Sequence, residues 1–224
     1  MAGISRAYKR RNNMVANTGG PVLCLDAGSR ISYPGSGTTW TDLSGNGNTG
    51  TLTNGPTFDS ANGGSIVFDG ANDIVSIGDV ATLRTLLITI TCFFKTNSTS
   101  AYQVFYSKSN GTTGFYGGLY EGKLFIQNDS GYTELGNVIP DLNWHYAALT
   151  YDGTQAKTYL DGILGQTKTL GPANILTAPA YISTFNGTGS PFDGNISSVS
   201  IYNRALSAAE ISQNFNLLRG RYGI

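Results

Sequence analysis

The stretch Trp144-His-Tyr-Ala-Ala-Leu-Thr-Tyr-Asp-Gly-Thr-Gln-Ala-Lys-Thr-Tyr-Leu-Asp-Gly162 contains two runs of aromatic, aliphatic and β-branched residues, each followed by Asp-Gly. Residues 144–151 and 156–160 have the length and composition of β-strands. Both Asp-Gly pairs suit a primed hairpin turn, because Asp and Gly each tolerate positive φ. This stretch therefore predicts successive antiparallel hairpins.

The composition of the whole chain supports an all-β fold. The 224 residues include 30 glycines, 13 tyrosines and 10 phenylalanines, and only 12% are charged, which is typical of short strands joined by tight turns. A chain of this length can bury a substantial core as one large β-sandwich, so we expect one domain at residues 21–224. Further strands are predicted at residues 22–26, 65–70, 73–77, 86–96, 103–108, 114–120, 123–127, 180–185 and 194–202.

Two features of this strand pattern are specific. Residues 65–70 and 73–77 are separated by a short turn, which predicts a hairpin. Residues 86–96 form the longest predicted strand, with alternate side chains on one inner face. The residues of that face are Ile88, Ile90, Cys92 and Phe94.

The end of the chain differs from the rest. Ser207-Ala-Ala-Glu210 is a capping box, in which the Ser side chain accepts a bond from the Glu amide and the Glu side chain reaches back. Ile211, Phe215 and Leu218 then recur at helical spacing. These residues predict one short C-terminal helix.

Four motifs follow one another along the chain. They are Trp40-x-Asp-Leu-Ser-Gly-Asn-Gly-Asn-x-Gly-x-Leu52, Phe68-Asp-Gly-x-x-Asp73-x-Val75, Trp144-His-x-Ala147 with Tyr151-Asp-Gly153 and Leu160-Asp-Gly162, and Phe192-Asp-Gly-x-Ile196 running into Ile201-Tyr-Asn-Arg-Ala-Leu-Ser207. Together they resemble the successive signatures of LamG-like, concanavalin A-like jelly-roll domains over residues 22–218. The resemblance implies a two-sheet antiparallel jelly-roll sandwich. It does not imply one activity, since this fold carries lectins, glycosidases, adhesion modules and virion parts.

Catalysis is the less favoured function class. Relatives of this sandwich that cleave glycosidic bonds carry Glu-x-Asp-x-x-Glu on one strand, and retaining chemistry needs two carboxylates roughly 5 Å apart. The three glutamates, Glu121, Glu134 and Glu210, do not form that pattern. The single histidine, His145, has no nucleophile and acid placed beside it by the sequence. We therefore expect a binding or structural protein and no enzyme.

Two classes of ligand remain open. Asp69 and Asp73 could supply oxygen ligands to calcium, although Asp in such turns also bonds its own backbone. Tyr116, Tyr120 and Tyr132 lie on or beside strands that we place centrally in one sheet, where exposed rings could stack on sugars. Strand tyrosines equally serve packing, so a glycan site at these residues is a hypothesis.

The N-terminal segment carries a concentrated positive charge. Residues 1–25 contain four bases and no acid, whereas the remaining 199 residues hold ten bases and fourteen acids, a net charge of −4. The four bases are Arg6, Lys9, Arg10 and Arg11. Residues 1–20 lack a hydrophobic period and end in Thr-Gly-Gly, which predicts an extended arm with a hinge at its end. Such an arm suits docking to an acidic protein surface, and nucleic acid is the less favoured partner.

The sequence also predicts where the protein is made. No apolar stretch of signal-peptide type follows the basic start, and none is long enough to cross a bilayer. We therefore expect synthesis in the cytosol and no membrane partner. Cys24 and Cys92 lie in apolar strand-like runs, and we expect both to be buried and reduced.

These features together favour a virion structural protein of a tailed bacteriophage. The Asn- and Gly-rich, weakly charged sandwich without a signal resembles phage capsid decoration (cement) proteins and head or tail fibre components, anchored by the basic arm. Adhesion to glycans and homo-oligomerisation through open sheet edges are compatible with that function. The alternative is a free, lectin-like carbohydrate-binding module, which would bind glycans with or without the arm.

Overall fold

Two antiparallel β-sheets face each other and enclose the core of the molecule. The computed structural model describes residues 19–99, 102–132 and 136–224. In chain order, the strands are β1 (Leu23–Asp26), β2 (Thr39–Trp40), β3 (Gly50–Thr53), β4 (Thr57–Asp59), β5 (Ser65–Asp69), β6 (Ile74–Gly78), β7 (Ile88–Thr96), β8 (Gln103–Ser109), β9 (Gly114–Tyr120), β10 (Lys123–Asn128), β11 (Gly131–Tyr132), β12 (His145–Tyr151), β13 (Gln155–Leu160), β14 (Ile163–Thr169), β15 (Ala180–Ile182) and β16 (Asp193–Tyr202). One helix, α1 (Ala208–Leu218), follows the last strand.

The strand order distinguishes the two sheets. The first sheet runs β14-β13-β12-β7-β16-β5-β4, and β1 pairs with β16 beyond the end of β5. The second sheet runs β11-β10-β9-β8-β15-β6-β3-β2. The predicted all-β, two-sheet sandwich with a short C-terminal helix is confirmed. Residues 1–18, which include most of the predicted arm and its bases Arg6, Lys9, Arg10 and Arg11, lie outside the described residues.

The predicted hairpin at residues 65–70 and 73–77 is wrong. β5 pairs with β4 and β16 in the first sheet, whereas β6 pairs with β3 and β15 in the second. The turn between them is therefore a corner where the chain crosses from one sheet to the other. Gly70 takes a φ of 71° there, and a β-carbon at this position would lie 2.8 Å from Asp193. A sheet corner and a hairpin turn favour the same residue types, so the local sequence does not distinguish between them.

The two Asp-Gly pairs behave differently. Asp161 and Gly162 both have positive φ, 51° and 81°, and form the predicted tight hairpin turn between β13 and β14. At the other pair, only Gly153 has positive φ. The carboxylate of Asp152 there accepts bonds from the N–H groups of Thr154 and Gln155 and makes a longer loop. The primed turn is therefore confirmed at one pair and wrong at the other.

Strand β7 is buried on both faces. The predicted inner face lies in the core between the sheets, as expected, and comprises Ile88, Ile90, Cys92 and Phe94. On the opposite face, Phe93 belongs to a second apolar cluster beneath α1. The other buried members of that cluster are Trp144, Tyr146, Ala148, Tyr159, Tyr202, Leu206, Ile211, Phe215 and Tyr222. β16 has ten residues and β7 has nine, so the prediction that β7 is the longest strand is wrong.

Charged side chains fix the C-terminal segment to the sheet. Ser207 and Glu210 form the predicted capping box at the start of α1. A guanidinium nitrogen of Arg204 lies 2.7 Å from a carboxylate oxygen of Glu210 and lowers the pKa of that carboxyl to about 2. Arg221 pairs with the buried carboxylate of Asp26 on β1, at 2.7 Å. The two pairs hold α1 and the residues after it against the first sheet.

Two further features concern local structure. Cys24 and Cys92 are both buried free thiols, as predicted, and burial raises the pKa of Cys92 well above its ordinary value. The loop that contains Asp42 is self-bonded, since this carboxylate accepts bonds from the N–H groups of Cys24, Ser44 and Asn48.

Among the described residues, no helix combines the length and the apolar character needed to cross a membrane.

The packing of α1 leads to a stability prediction. Ile211 is fully buried against the first sheet, whereas Leu217, in the same helix, is 38% exposed. Ile211→Ala should lower the free energy of unfolding by about 2–5 kcal/mol, because it leaves a cavity beneath the helix. Leu217→Ala should change it by about 0.5 kcal/mol or less. Urea unfolding of both variants measures the difference, and equal losses would contradict this account of the helix.

Candidate functional site

Five aromatic side chains cluster on the outer face of the second sheet. Phe115, Gly117 and Leu119 on β9 point into the core, so Tyr116 and Tyr120 point outward. We call the group the outer aromatic cluster. Its members are Tyr102, Tyr116, Tyr120, Phe125 and Phe185, and neighbouring ring centroids are 4.5–5.8 Å apart.

Tyr116 and Tyr120 have different roles in this cluster. The Tyr116 ring packs between Phe125 and Phe185, and its hydroxyl is hydrogen-bonded to Tyr102 and Gln127. Burial raises the pKa of Tyr116. Tyr120, by contrast, is 38% exposed, and its ring rests against that of Tyr102. Tyr116 is therefore mainly a packing residue, and Tyr120 offers a ring to solvent.

A strained loop supports one side of the cluster. Ser183, Asn186 and Ser190 all have positive φ between 51° and 71°, a conformation that costs energy for residues with a β-carbon. The loop lies over β8, where the Ser107 hydroxyl accepts a bond from the Asn186 N–H. This arrangement holds Phe185 against Tyr116, with ring centroids 4.5 Å apart.

An open depression of about 510 Å³ adjoins the cluster at the end of β9. It lies between the loop after β7, the turn from β9 to β10, and the segment around Val138. That segment pairs with β10 at Lys123, and its Ile139 N–H donates to the carbonyl of the turn residue Gly122. We call this open region the loop-end depression. Its lining residues are Asn97, Ser98, Thr99, Glu121, Gly122, Val138, Ile139, Pro140, Asp141 and Leu142.

The lining of the depression is both acidic and apolar. Glu121 and Asp141 contribute carboxylates, which accept hydrogen bonds. Val138 and Leu142 are large apolar residues that remain 59% and 45% exposed. Tyr120 ends β9 and directly precedes Glu121, so the exposed tyrosine and the rim meet at the same turn. The site therefore combines hydrogen-bond acceptors with apolar and aromatic surfaces.

His145 lies behind the rim and is almost completely buried. Its Nδ1 is 2.8 Å from Oδ2 of Asp161, and its Nε2 is 3.3 Å from Oδ1 of Asp141. Burial lowers the pKa of His145, but the hydrogen bonds and charges of Asp161 and Asp141 outweigh it and raise that pKa above its ordinary value. The Asn143 N–H, followed by His145, lowers the pKa of Asp141. His145 is thus held between two carboxylates, with no nucleophile among these contacts.

The structure brings together some of the predicted sugar-binding residues. Tyr116 and Tyr120 share the outer aromatic cluster, and the backbone of Tyr132 in β11 pairs with Gln127 in β10. The expected central placement is wrong for Tyr132, because β11 is the edge strand of the second sheet, whereas β9, which carries Tyr116 and Tyr120, is paired on both sides. Sequence reasoning missed Phe125, although its apolar ring at an outward position of β10 is a detectable signal. It also missed the segment 138–142, because pairing with β10 has no local signature.

The three glutamates and the arm residues fall in different parts of the chain. Glu121 sits in the turn between β9 and β10, as expected, with a φ of 49°. Glu210 is engaged by the helix cap and Arg204. Glu134 and the arm residues Arg6, Lys9, Arg10 and Arg11 lie outside the described residues.

The two calcium candidates bond the backbone of their own corner. Oδ1 of Asp69 accepts bonds from the N–H groups of Ala71 and Asn72, which lower the pKa of Asp69. Oδ2 of Asp73 accepts a bond from the Asp69 N–H, while burial raises the pKa of Asp73. In the described parts of the chain, no group of three or more His, Cys, Asp or Glu side chains is arranged to hold a metal ion. These contacts favour the alternative that both carboxylates bond their own backbone, and calcium binding at Asp69 and Asp73 is untested.

The comparison with protein families agrees with this fold. The Laminin_G_3 profile of the concanavalin A-like lectin/glucanases superfamily matches residues 69–212. The chain belongs to this superfamily. A search of curated proteins gave no match.

Solved structures similar to this concanavalin A-like domain include several binding domains. Domain 4 of AbnA, an extracellular GH43 arabinanase from Geobacillus stearothermophilus solved with arabinotriose, is 16% identical over 88% of this chain and 98% of that one, with a TM-score of 0.68. The botulinum neurotoxin serotype G binding domain is 16% identical, with coverages of 88% and 51% and a TM-score of 0.65. The botulinum neurotoxin DC binding domain, solved with SialylT, is 13% identical, with coverages of 88% and 51% and a TM-score of 0.66.

These likenesses show the fold alone, because the sequence identities are low. The chain spans about half the length of the toxin binding domains that it matches and nearly the whole of the arabinanase domain. The fold is of the lectin and binding-domain type.

The corner at Asp69 leads to a second prediction. Asp69→Ala should lower the free energy of unfolding by about 0.5–2 kcal/mol, because the N–H groups of Ala71 and Asn72 lose their acceptor. Adding calcium to chelator-treated wild-type protein should leave the melting temperature unchanged. Calorimetry measures both effects. A calcium-dependent rise in melting temperature that Asp69→Ala abolishes would instead support a metal site.

Proposed function

We propose that this chain is a non-catalytic, lectin-type domain that binds neutral glycans at the loop-end depression and the adjoining Tyr120. The observation that carries the proposal is the rim of the depression, where carboxylates lie among exposed apolar side chains and where Glu121 directly follows Tyr120, which is 38% exposed. Sugars present the same two surfaces, since their hydroxyls donate hydrogen bonds and their C–H faces are apolar.

Each side chain has a specific part in this proposal. The carboxylates of Glu121 and Asp141 accept bonds from sugar hydroxyls, and such charge-assisted bonds are stronger than neutral ones. Tyr120 stacks on the apolar face of one ring, supported from behind by Tyr102. Val138 and Leu142 contact the neighbouring ring. Because Tyr102, which itself packs on Phe125, supports the Tyr120 ring, little side-chain entropy is lost on binding.

The charge at the site favours a neutral glycan over an acidic one. The lining segments at residues 97–99, 121–122 and 138–142 contain two acids, Glu121 and Asp141, and no base. Lys123 follows directly and pairs across the strands with Tyr120, so one net negative charge remains at this end of β9 and β10. A sialylated or uronic-acid ligand would face like charge, which disfavours its binding.

The same residues argue against glycoside hydrolysis. A general acid at neutral pH needs a raised pKa, whereas hydrogen bonds lower the pKa of Asp141. Glu210 is engaged by Arg204 and Ser207 on α1. Among the described residues, Glu121 is the glutamate that lines the depression. The other carboxyl there, Asp141, has a lowered pKa and therefore does not hold the proton that a general acid must donate.

The structural neighbours support glycan binding as a class. One is a domain of an arabinanase solved with arabinotriose, and another is a toxin binding domain solved with SialylT. They differ in whether the sugar is charged, so the choice of a neutral ligand rests on Glu121 and Asp141.

Glycan binding leads to a third prediction. On an array of neutral and sialylated oligosaccharides, the wild-type protein should bind neutral sugars, and Tyr120→Ala should weaken that binding about tenfold, or about 1.4 kcal/mol. Tyr181→Ala is the matched control, because Tyr181 lies outward on β15 of the same sheet, against Gly187 and outside the lining of the depression. Equal losses in both variants, or no binding by the wild-type protein, would contradict the site. Release of reducing ends would contradict the non-catalytic function.

A second candidate function concerns the arm. The bases Arg6, Lys9, Arg10 and Arg11, with no acid in residues 1–25, favour attachment to an acidic protein surface. A phage virion component therefore remains a proposal, either as a capsid decoration protein or as a head or tail fibre part. In this proposal the arm anchors the domain and the sandwich projects outward. Homo-oligomerisation through an open edge also stays a proposal. β14 is mostly exposed along one edge of the first sheet.

The arm leads to a fourth prediction. Full-length protein should co-sediment with undecorated capsids at low salt and dissociate as salt rises, because its contacts are electrostatic. Protein lacking residues 1–18 should not co-sediment, yet it should retain the glycan binding of the full chain. Normal occupancy of particles by the truncated protein would contradict a virion function through the arm and would favour a free lectin.

A further inference from the structure

His145 and its two carboxylate partners connect the site to the fold. Asp161 belongs to the tight hairpin turn between β13 and β14, and its Oδ1 also accepts the N–H of Tyr146. Asp141 belongs to the rim of the loop-end depression, and its side chain is half exposed. The imidazole of His145, buried to about 95%, lies between them. The buried His145 therefore contacts the Asp141 carboxylate of the rim from the interior of the protein.

The protonation state of His145 decides whether both contacts are hydrogen bonds. Ionised carboxylates only accept, and a neutral imidazole has a single N–H to donate. Both ring nitrogens face carboxylate oxygens, at 2.8 Å and 3.3 Å. Only the imidazolium form can donate to Asp161 and Asp141 at once. In the neutral form, one carboxylate faces a nitrogen lone pair.

The geometry indicates which contact is lost on deprotonation. The contact to Asp161 is the shorter one, and Asp161 is also fixed by the Tyr146 N–H. Asp141 is held by the Asn143 N–H and by the longer contact to His145. A neutral His145 therefore keeps its proton on Nδ1, toward Asp161. Its Nε2 lone pair then repels the Asp141 carboxylate.

We propose that His145, as the imidazolium, positions Asp141 on the rim of the loop-end depression, so that sugar binding weakens when His145 loses its proton. The proposal rests on the proposed function, because it concerns the regulation of the same site. His145 is a positioning residue here and does not touch the sugar. The charged groups that face it among the described residues are Asp141 and Asp161, and its other ring neighbour is Phe94 on β7.

The sign of the effect follows from the raised pKa of His145. In a flexible chain, His titrates near pH 6.5. Below that value the double hydrogen bond is fully present, and it is lost as the pH rises through the higher folded pKa. Affinity for a neutral sugar should therefore be constant at mildly acidic pH and fall about three- to tenfold at higher pH, the range expected for one hydrogen bond.

The chain contains one histidine, so NMR follows its imidazole without ambiguity. The experiment compares that titration with the affinity for the tightest-binding neutral oligosaccharide from the array, measured by calorimetry from about pH 5.5 to about pH 9. The two midpoints should coincide. Asp161→Asn keeps an acceptor for the Tyr146 N–H but removes the charge, so it should shift both midpoints to lower pH together.

Two further variants separate positioning from folding. His145→Gln should bind with the weaker, high-pH affinity of the wild-type protein at every pH. Asp152→Asn is the matched control, because Asp152 is an exposed hairpin aspartate that contacts the N–H groups of Thr154 and Gln155. It should leave the wild-type profile unchanged.

The outcomes distinguish this inference from the proposed function. Sugar binding that stays constant while the imidazole titrates, or an affinity midpoint that Asp161→Asn leaves in place, would overturn the inference and leave the glycan site intact. If the wild-type protein binds no neutral sugar, the proposed function fails. The NMR signal of the Asn143 amide, which donates to Asp141, then tests the positioning of Asp141 by His145 directly. This signal should follow the titration of His145. A signal that is independent of that titration would overturn the inference.

Discussion

Phe93 and Phe94 are neighbours on β7, and their rings point to opposite faces of the first sheet. Phe94 packs against Phe105 in the core between the sheets, with ring centroids 4.6 Å apart. Phe93 packs against Tyr146 and Tyr222 beneath the C-terminal segment, also with centroids 4.6 Å apart. Because β7 lies between β12 and β16, these two contacts join the sandwich core to the helical cover. The rest of the fold depends on this double burial.

The double burial has a functional consequence. α1 and the residues after it occupy the outer face of the first sheet, so that face presents little surface to a ligand. The outer face of the second sheet carries Tyr120 and its supporting rings instead. The loop-end depression lies at one end of the same sheet, where the segment 138–142 extends the edge beyond β10. The helix thus covers one face of the sandwich, whereas the opposite face carries the exposed tyrosine.

One residue serves both the fold and the site. Asp161 occupies the first position of a tight hairpin turn, where its positive φ of 51° suits an aspartate. Its carboxylate faces back toward β12, where it accepts the Tyr146 N–H and meets His145. A turn residue selected by backbone geometry thus sets the position of the histidine behind the rim and raises its pKa. Changing Asp161 affects local structure and site chemistry together, whereas Tyr120 can be changed with little effect on the core.

The sequence by itself determined the features that depend on near neighbours in the chain. Alternation of inward and outward side chains located most strands, and the spacing of Ser207 and Glu210 specified the helix start, because these patterns act over two to four residues. Only the tertiary structure decided that the corner at Asp69 joins two sheets, that Phe93 lies beneath a helix, and that Glu121, Asp141 and Tyr120 share one end of the molecule. Strand pairing between distant segments sets these positions. The physical reason is that a turn or a strand face has the same local chemistry whichever partner it later packs against.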